Sequence, residues 1–144
     1  MWATFPMLKE ALEVVEAWGF TYKTVAFNWV KQNKSGEGLF MGLGNWTRSN
    51  SEICLLATKG KPKRVGAGVR SVILSPIQRH SQKPTEIRDR IVELMGDKPR
   101  IELFARDTSP GWDSWGNEVP EPDAATRKEA PDERNHQGNP APEL

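Results

Sequence analysis

The sequence predicts an α/β fold, a sheet with helices on its faces, and three observations carry that prediction. Apolar residues recur at three- and four-residue steps in two stretches of residues 1–118, the spacing of helices with one buried stripe. Around them run short segments rich in β-branched and aromatic residues, the composition of strands. The segments follow one another as strand, helix, strand, long loop, strand, strand, helix, strand, and such alternation favours a sheet covered by helices.

Met1-Trp2-Ala3-Thr4 reads as the end of a strand entering a helix at Pro6. Two readings fit it: a chain that starts inside a domain, and a short edge strand at a true N-terminus. Leu8, Ala11, Leu12, Val15 and Trp18 then mark one helix face, and Gly19 supplies the stop. Residues 21–30 are a strand. Residues 31–47 are polar and hold Gly36, Gly38, Gly42 and Gly44, so they form a long loop, and long loops in compact domains are functional or mobile. Residues 52–58 are a near-continuous apolar run, as in a buried strand. Lys59-Gly60-Lys61-Pro62 turns the chain, and residues 69–74 are a third strand. Lys83-Pro84-Thr85-Glu86 opens a second helix, with proline tolerated in the first turn. Ile87, Ile91, Leu94 and Met95 are its buried stripe, Gly96 ends it, and residues 100–105 are the last strand. Trp18 and Trp29 are expected in the packing, and Cys54 as an inert buried thiol.

Composition narrows the function classes. The chain of 144 residues is 37% hydrophobic and 27% charged, ordinary for a soluble domain. No apolar run reaches the roughly 20 residues of a membrane span, and no signal peptide is visible. The single cysteine, Cys54, and two histidines, His80 and His136, provide neither an internal disulfide nor a Cys/His zinc cluster. These features imply a cytoplasmic protein without a structural metal. The net charge of +1 hides an asymmetry, because residues 119–144 carry six acids and three bases. Residues 1–118 are left with 13 acids and 17 bases, a net of +4, which permits contact with nucleic acid without demanding it. Residues 119–144 also hold five of the 11 prolines and no aromatic residue. They have little to bury, so a disordered tail is expected.

Four separated segments give a more specific signal. They are Trp2-Ala3-Thr4 before the first helix; Asn28-Trp29-Val30-Lys31 with Gly44-Asn45-Trp46-Thr47-Arg48 and Glu52; Ser81-Gln82-Lys83-Pro84-Thr85-Glu86; and Glu102-Leu103-Phe104-Ala105-Arg106 with Gly111-Trp112-Asp113-Ser114-Trp115-Gly116-Asn117-Glu118. In this order and spacing they resemble the MT-A70-like family of S-adenosylmethionine-dependent adenine methyltransferases, especially bacterial and phage members that act on DNA adenine. The resemblance covers residues 1–118 and implies the later part of a Rossmann-like methyltransferase domain. The family's Asp-Pro-Pro-Trp tetrapeptide, which holds the target adenine, occurs nowhere in the 144 residues. By the resemblance it would lie upstream of Trp2, and activity of the isolated chain is then not expected.

The resemblance also assigns residues to roles. It places a ribose-contacting pair at Asn117 and Glu118, Arg106 close to the S-adenosylmethionine, and Lys83 at the carboxylate of that cofactor's methionine part. Chemically, a carboxylate with an amide suits a ribose diol, and an ammonium beside a helix start suits a carboxylate. The plain alternatives are surface charges at Arg106 and Glu118, a turn residue at Asn117 and a solvated Lys83. Trp46, Arg48 and Glu52 are the target-contact candidates, since aromatic faces stack on bases and arginine meets phosphates or base edges. The other reading packs Trp46 under the loop and makes Glu52 a strand start. Lys59, Lys61, Lys63 and Arg64 form a basic turn, either a solvated hairpin or a phosphate contact. If the last strand lies in a parallel sheet, Lys83, Arg106, Asn117 and Glu118 are expected at its carboxyl edge.

The implied function is methyl transfer to N6 of adenine in DNA, with RNA the less favoured substrate and a partner chain supplying the absent segment. The implied setting is the cytoplasm of a bacterium or a phage-infected host. The alternative is a non-catalytic member of the same family that binds nucleic acid or an active partner.

Overall fold

The computed structural model describes residues 1–120. It divides into two compact units, the first Met1–Lys98 and the second from Pro99 onward. The disordered tail expected at residues 119–144 lies, from residue 121, outside the described residues.

The first unit is three-layered. Strand β1 (Trp2–Ala3) leads through a 3-10 turn (Phe5–Met7) into α1 (Leu8–Ala17). Strand β2 (Thr21–Gln32), strand β3 (Ser51–Thr58), strand β4 (Val72–Pro76) and helix α2 (Glu86–Met95) follow. The strands lie in the order β1-β3-β2-β4. β3 runs antiparallel to both β1 and β2, whereas β4 is parallel to β2. The carboxyl ends of β1, β2 and β4 and the start of β3 therefore share one edge of the sheet.

Side-chain alternation sorts the two faces. Ala3, Ile53 and Leu55 form one cluster with Leu8, Ala11 and Leu12 from the stripe of α1 and with Val25 of β2. Phe27, Trp29, Cys54 and Ile73 form the other with Ile87 and Ile91 of α2. Period two alone would put Val25 and Phe27 on the same face. A register shift between them moves Phe27 to the opposite cluster, because an extra residue inverts all that follows. Ile73, with no exposed surface, is the centre of the α2 side. The helix stops are as expected, Gly19 and Gly96 taking φ of +78° and +83°, a region that costs other residues steric strain.

Several expectations need correction. Trp18 is half exposed at the C-terminal cap of α1 rather than packed in the core. The helix reading placed it one residue too far along the stripe. The third strand starts at Val72, not residue 69, although Val69 still packs against the α2-side cluster. α2 starts at Glu86, so Lys83 lies three residues ahead of it. The last strand predicted, residues 100–105, is the shorter β5 (Ile101–Leu103). Its partner is β6 (Asp113–Trp115), in a parallel two-stranded sheet of the second unit. β6 lies where the sequence shows only loop, because three residues within a polar, glycine-containing stretch show no period.

Among the described residues no helix is long and apolar enough to cross a membrane.

Candidate functional site

Strand register builds a polar centre on the α2 face, at the edge where β1, β2 and β4 end. Glu52 lies directly across from Trp29, so the two side chains share a face. Lys31 follows Trp29 by two residues and Cys54 follows Glu52 by two, so both fall on that face as well. Cys54 in turn lies across from Trp2. Five residues far apart in sequence thus reach one surface, and Lys83 joins them from the segment before α2.

The contacts are those of an ion-paired cluster. Lys31 Nζ donates to Glu52 Oε1 at 2.7 Å, and Lys83 Nζ donates to Oε2 at 2.5 Å. Lys31 stands over the Trp29 ring at 5.1 Å, and Lys83 over the Trp2 ring at 5.7 Å. The two indoles meet edge to face with centroids 6.4 Å apart. The Trp29 indole N–H is itself fixed by the Ser75 carbonyl of β4 at 2.9 Å. Each ammonium therefore has a carboxylate on one side and an aromatic face beneath it, both favourable to a cation. Burial alone would raise the Glu52 carboxyl, whose side chain is 13% exposed. The hydrogen bonds and charges of Lys31 and Lys83 outweigh it and hold the group below its ordinary value. The Glu52 carboxylate leaves two cations against one anion, a net of +1. Cys54, beneath this centre, is pushed up by burial, which disfavours its thiolate.

Of the sequence candidates, Glu52 and Lys83 are brought together although they were assigned to different ligands. Lys31, Trp2 and Trp29 were missed as site residues. Lys31 and Trp29 stood in a quoted segment, yet only strand pairing reveals that they face Glu52.

The loop between β2 and β3 is held at both ends. Phe40 N–H bonds the Lys31 carbonyl and Lys31 N–H bonds the Asn50 carbonyl, each at 2.8 Å. At its far end, Gly42 and Gly44 press against the backbone carbonyls of Ser49 and Thr47 so closely that a Cβ on either would overlap them. The doubled-back tip turns its side chains outward: Leu43 is 90% exposed and Trp46 is 99% exposed. Trp46 does not pack under the loop. Arg48 is exposed beside it.

In the second unit, Arg106 Nε donates to Glu118 Oε2 at 3.0 Å, joining two of the cofactor candidates. Ala105 N–H bonds the Trp115 carbonyl at 2.9 Å, and Gly116 lies against the Ala105 backbone where no side chain would fit. Asn117 is exposed and follows directly. Phe104 takes φ of +58° and stacks edge-on to Trp115 at 5.4 Å. A non-glycine residue in that region is strained, and such strain gathers at functional sites. Among the described residues no group of three or more His, Cys, Asp or Glu is placed to hold a metal.

A mixed sheet with helices on both faces, and a charged centre at the carboxyl ends of its strands, define the class: an α/β domain with its site where such folds place ligands. The chain belongs to the MT-A70 family, whose profile matches residues 1–118. It is 39% identical over 123 residues to the type II methyltransferase M.MunI of a Mycoplasma species, covering 84% of this chain and 50% of that protein. It is 30% identical over 123 residues to the human N(6)-adenosine-methyltransferase catalytic subunit METTL3, covering 83% of this chain and 21% of that protein. A Medicago truncatula MT-A70-like protein is 32% identical over 123 residues, 83% of this chain and 20% of that protein. The chain thus spans half or less of the length of these relatives.

Proposed function

We propose that this chain takes part in S-adenosylmethionine-dependent methyl transfer to N6 of adenine in DNA. The observation that carries the reading is the family match over residues 1–118, together with the Lys31–Glu52–Lys83 centre at the carboxyl edge. The family members named above are methyltransferases, some of them on N6 of adenosine. The choice of DNA rests on the resemblance to the family branch that acts on DNA adenine.

The donor set fits the cofactor. Lys83 gives one of its three N–H donors to Glu52 and has the chemistry to hold a carboxylate with another. The net charge of +1 suits one monoanionic group. In this reading Glu52 is a positioning residue that fixes both ammoniums. Glu118 accepts from Arg106 with Oε2, and its carboxylate with the Asn117 amide suits a ribose diol. The cofactor supplies the methyl group and the positive charge that makes it transferable. Trp46 and Arg48 serve the target: the indole is free to stack on a base, and the guanidinium beside it to meet phosphate or a base edge. Placing the reacting atoms and excluding water supply most of the rate in such a transfer.

A second reading is a non-catalytic subunit that binds nucleic acid or an active partner, and the exposed Trp46 and Arg48 of the loop tip suit it as well as the first. The 144 residues contain no Asp-Pro-Pro-Trp. Both readings predict no turnover by this chain alone on adenine-containing duplex DNA, and the first predicts cofactor binding. Ultraviolet cross-linking of methyl-labelled S-adenosylmethionine should label the chain, and excess S-adenosylhomocysteine should suppress the label. Labelling that the competitor leaves untouched counts against the first reading, and clear turnover by the purified chain would overturn the expectation of inactivity.

A further inference from the structure

The turn after β3 has a charge pattern that the centre at Glu52 does not explain. Residues 53–85 contain seven lysines and arginines and not one aspartate or glutamate. Four of the seven, Lys59, Lys61, Lys63 and Arg64, fall within six residues, and all four are exposed. No carboxylate among the described residues pairs with them. Arg64 only touches the Ala67 carbonyl, at 3.5 Å. Like charges packed this closely repel one another, so the cluster costs the isolated chain free energy unless an anion arrives.

The turn is also held in place. Val65 and Gly66 N–H groups bond the Leu94 carbonyl at the end of α2, at 2.7 and 3.2 Å. Gly66 lies against the Glu93 carbonyl so closely that no side chain would fit. Pro62 restricts both itself and Lys61. The cations are thus presented from an anchored segment with less conformational freedom to lose on binding.

Register separates this turn from the charged centre. Thr58 lies across from Thr21 and Glu52 across from Trp29, so the turn leaves the sheet at the opposite edge. Six residues of strand span about 20 Å. That is too far for these side chains to touch a base stacked at the loop between β2 and β3, which leaves the sheet at the Glu52 end, and within reach of phosphates some six base pairs along a duplex.

We propose that Lys59, Lys61, Lys63 and Arg64 form a contact surface for the phosphate backbone of a nucleic acid, remote from the target base. The proposal rests on the nucleic-acid reading above and adds to it a surface that fixes affinity without reading sequence. Its test is fluorescence anisotropy of a labelled 20-base-pair DNA duplex with the full chain. The comparison is one variant carrying Lys59→Ala, Lys61→Ala, Lys63→Ala and Arg64→Ala, over a salt series. Each phosphate neutralised contributes about 0.9 to the slope of log affinity against log salt, so the variant slope should be shallower by about 3 to 4. Between about 50 and 200 mM salt the wild type should lose about 100-fold more affinity than the variant. A second variant, Lys59→Arg, Lys61→Arg and Lys63→Arg, should keep the wild-type slope. An RNA duplex of the same sequence, run in parallel, tells which backbone is preferred.

A thermal transition of the alanine variant matching the wild type assigns the change to binding rather than folding. An unchanged slope in that variant, or no binding of either duplex by the wild type, overturns the proposal. S-adenosylhomocysteine binding by the same proteins separates the two claims. S-adenosylhomocysteine binding with an unchanged salt slope sinks only this surface, and a slope that drops without such binding sinks only the cofactor reading.

Discussion

Glu52→Gln is expected to destabilise the first unit by about 2 kcal/mol at neutral pH, between the values for an exposed and a fully buried ion pair. The glutamine keeps the shape and one acceptor but leaves two positive ammoniums, both mostly buried, without their anion. The loss should depend on pH in a defined direction. Glu52 titrates below its ordinary value of about 4.5 in the folded chain. A carboxyl with a depressed folded pKa stabilises the fold above its unfolded pKa, and that contribution disappears as pH falls through the folded one. Wild type and Glu52→Gln should therefore differ fully at pH 7 and converge below pH 4.5, read as denaturant midpoints at each pH. A difference that persists undiminished into acid would show that the carboxylate charge is not what stabilises the centre.

Gly42→Ala is expected to open the tip of the loop between β2 and β3 without unfolding the sheet. The new Cβ would fall on the Ser49 carbonyl, and a backbone atom cannot step aside as a flexible side chain can. Forcing one methyl into such a contact costs about 1–3 kcal/mol, and the loop can escape by separating its two arms. Amide exchange should accelerate over residues 41–49, while β2 and β3 stay protected and the binding of duplex DNA weakens. Gly60→Ala is the comparison, since that glycine has φ of +74° and no heavy atom near its Cβ position. It should cost strain locally and leave the loop tip unchanged. Equal exchange at the tip in wild type and Gly42→Ala would contradict the account of that loop as a pinned platform.

The elements legible in the sequence were those whose burial leaves a period. α1 and α2 came from apolar residues at helical spacing, and β2 and β3 from β-branched and aromatic runs. β6 has three residues and β1 two, too short to show any period, and β1 was recognised only because it leads into Pro6. Local pattern also carries no information on strand pairing. The order β1-β3-β2-β4, and with it the meeting of Lys31, Glu52 and Lys83, follows from contacts between distant segments. The bulge that inverts Phe27 relative to Val25 has no residue signal at all. Lys83, Arg106, Asn117 and Glu118 could be named because a family resemblance singled them out. Chemistry alone favoured the plain reading of each, as a surface or turn residue. Lys31 was in view but unassigned, since a lysine at a strand end is ordinarily solvated. Trp46 shows the reverse case: its exposure distinguishes it from the packed tryptophan that sequence alone equally allowed.

The proposal that this chain binds a nucleotide-like cofactor, and that Lys83 and Asn117 each contribute to its affinity, is tested most directly by calorimetric titration with S-adenosylhomocysteine. Wild type, Lys83→Ala, Asn117→Ala and Trp46→Ala are compared at one pH and salt. The prediction is measurable wild-type binding, weakened at least about tenfold by each of the first two substitutions, a loss of about 1.4 kcal/mol apiece. Trp46→Ala, fully exposed and assigned to the target, should bind as the wild type does. Wild-type binding that Lys83→Ala and Asn117→Ala both leave unchanged would contradict the assignment, and so would a folded wild-type chain that does not bind at all.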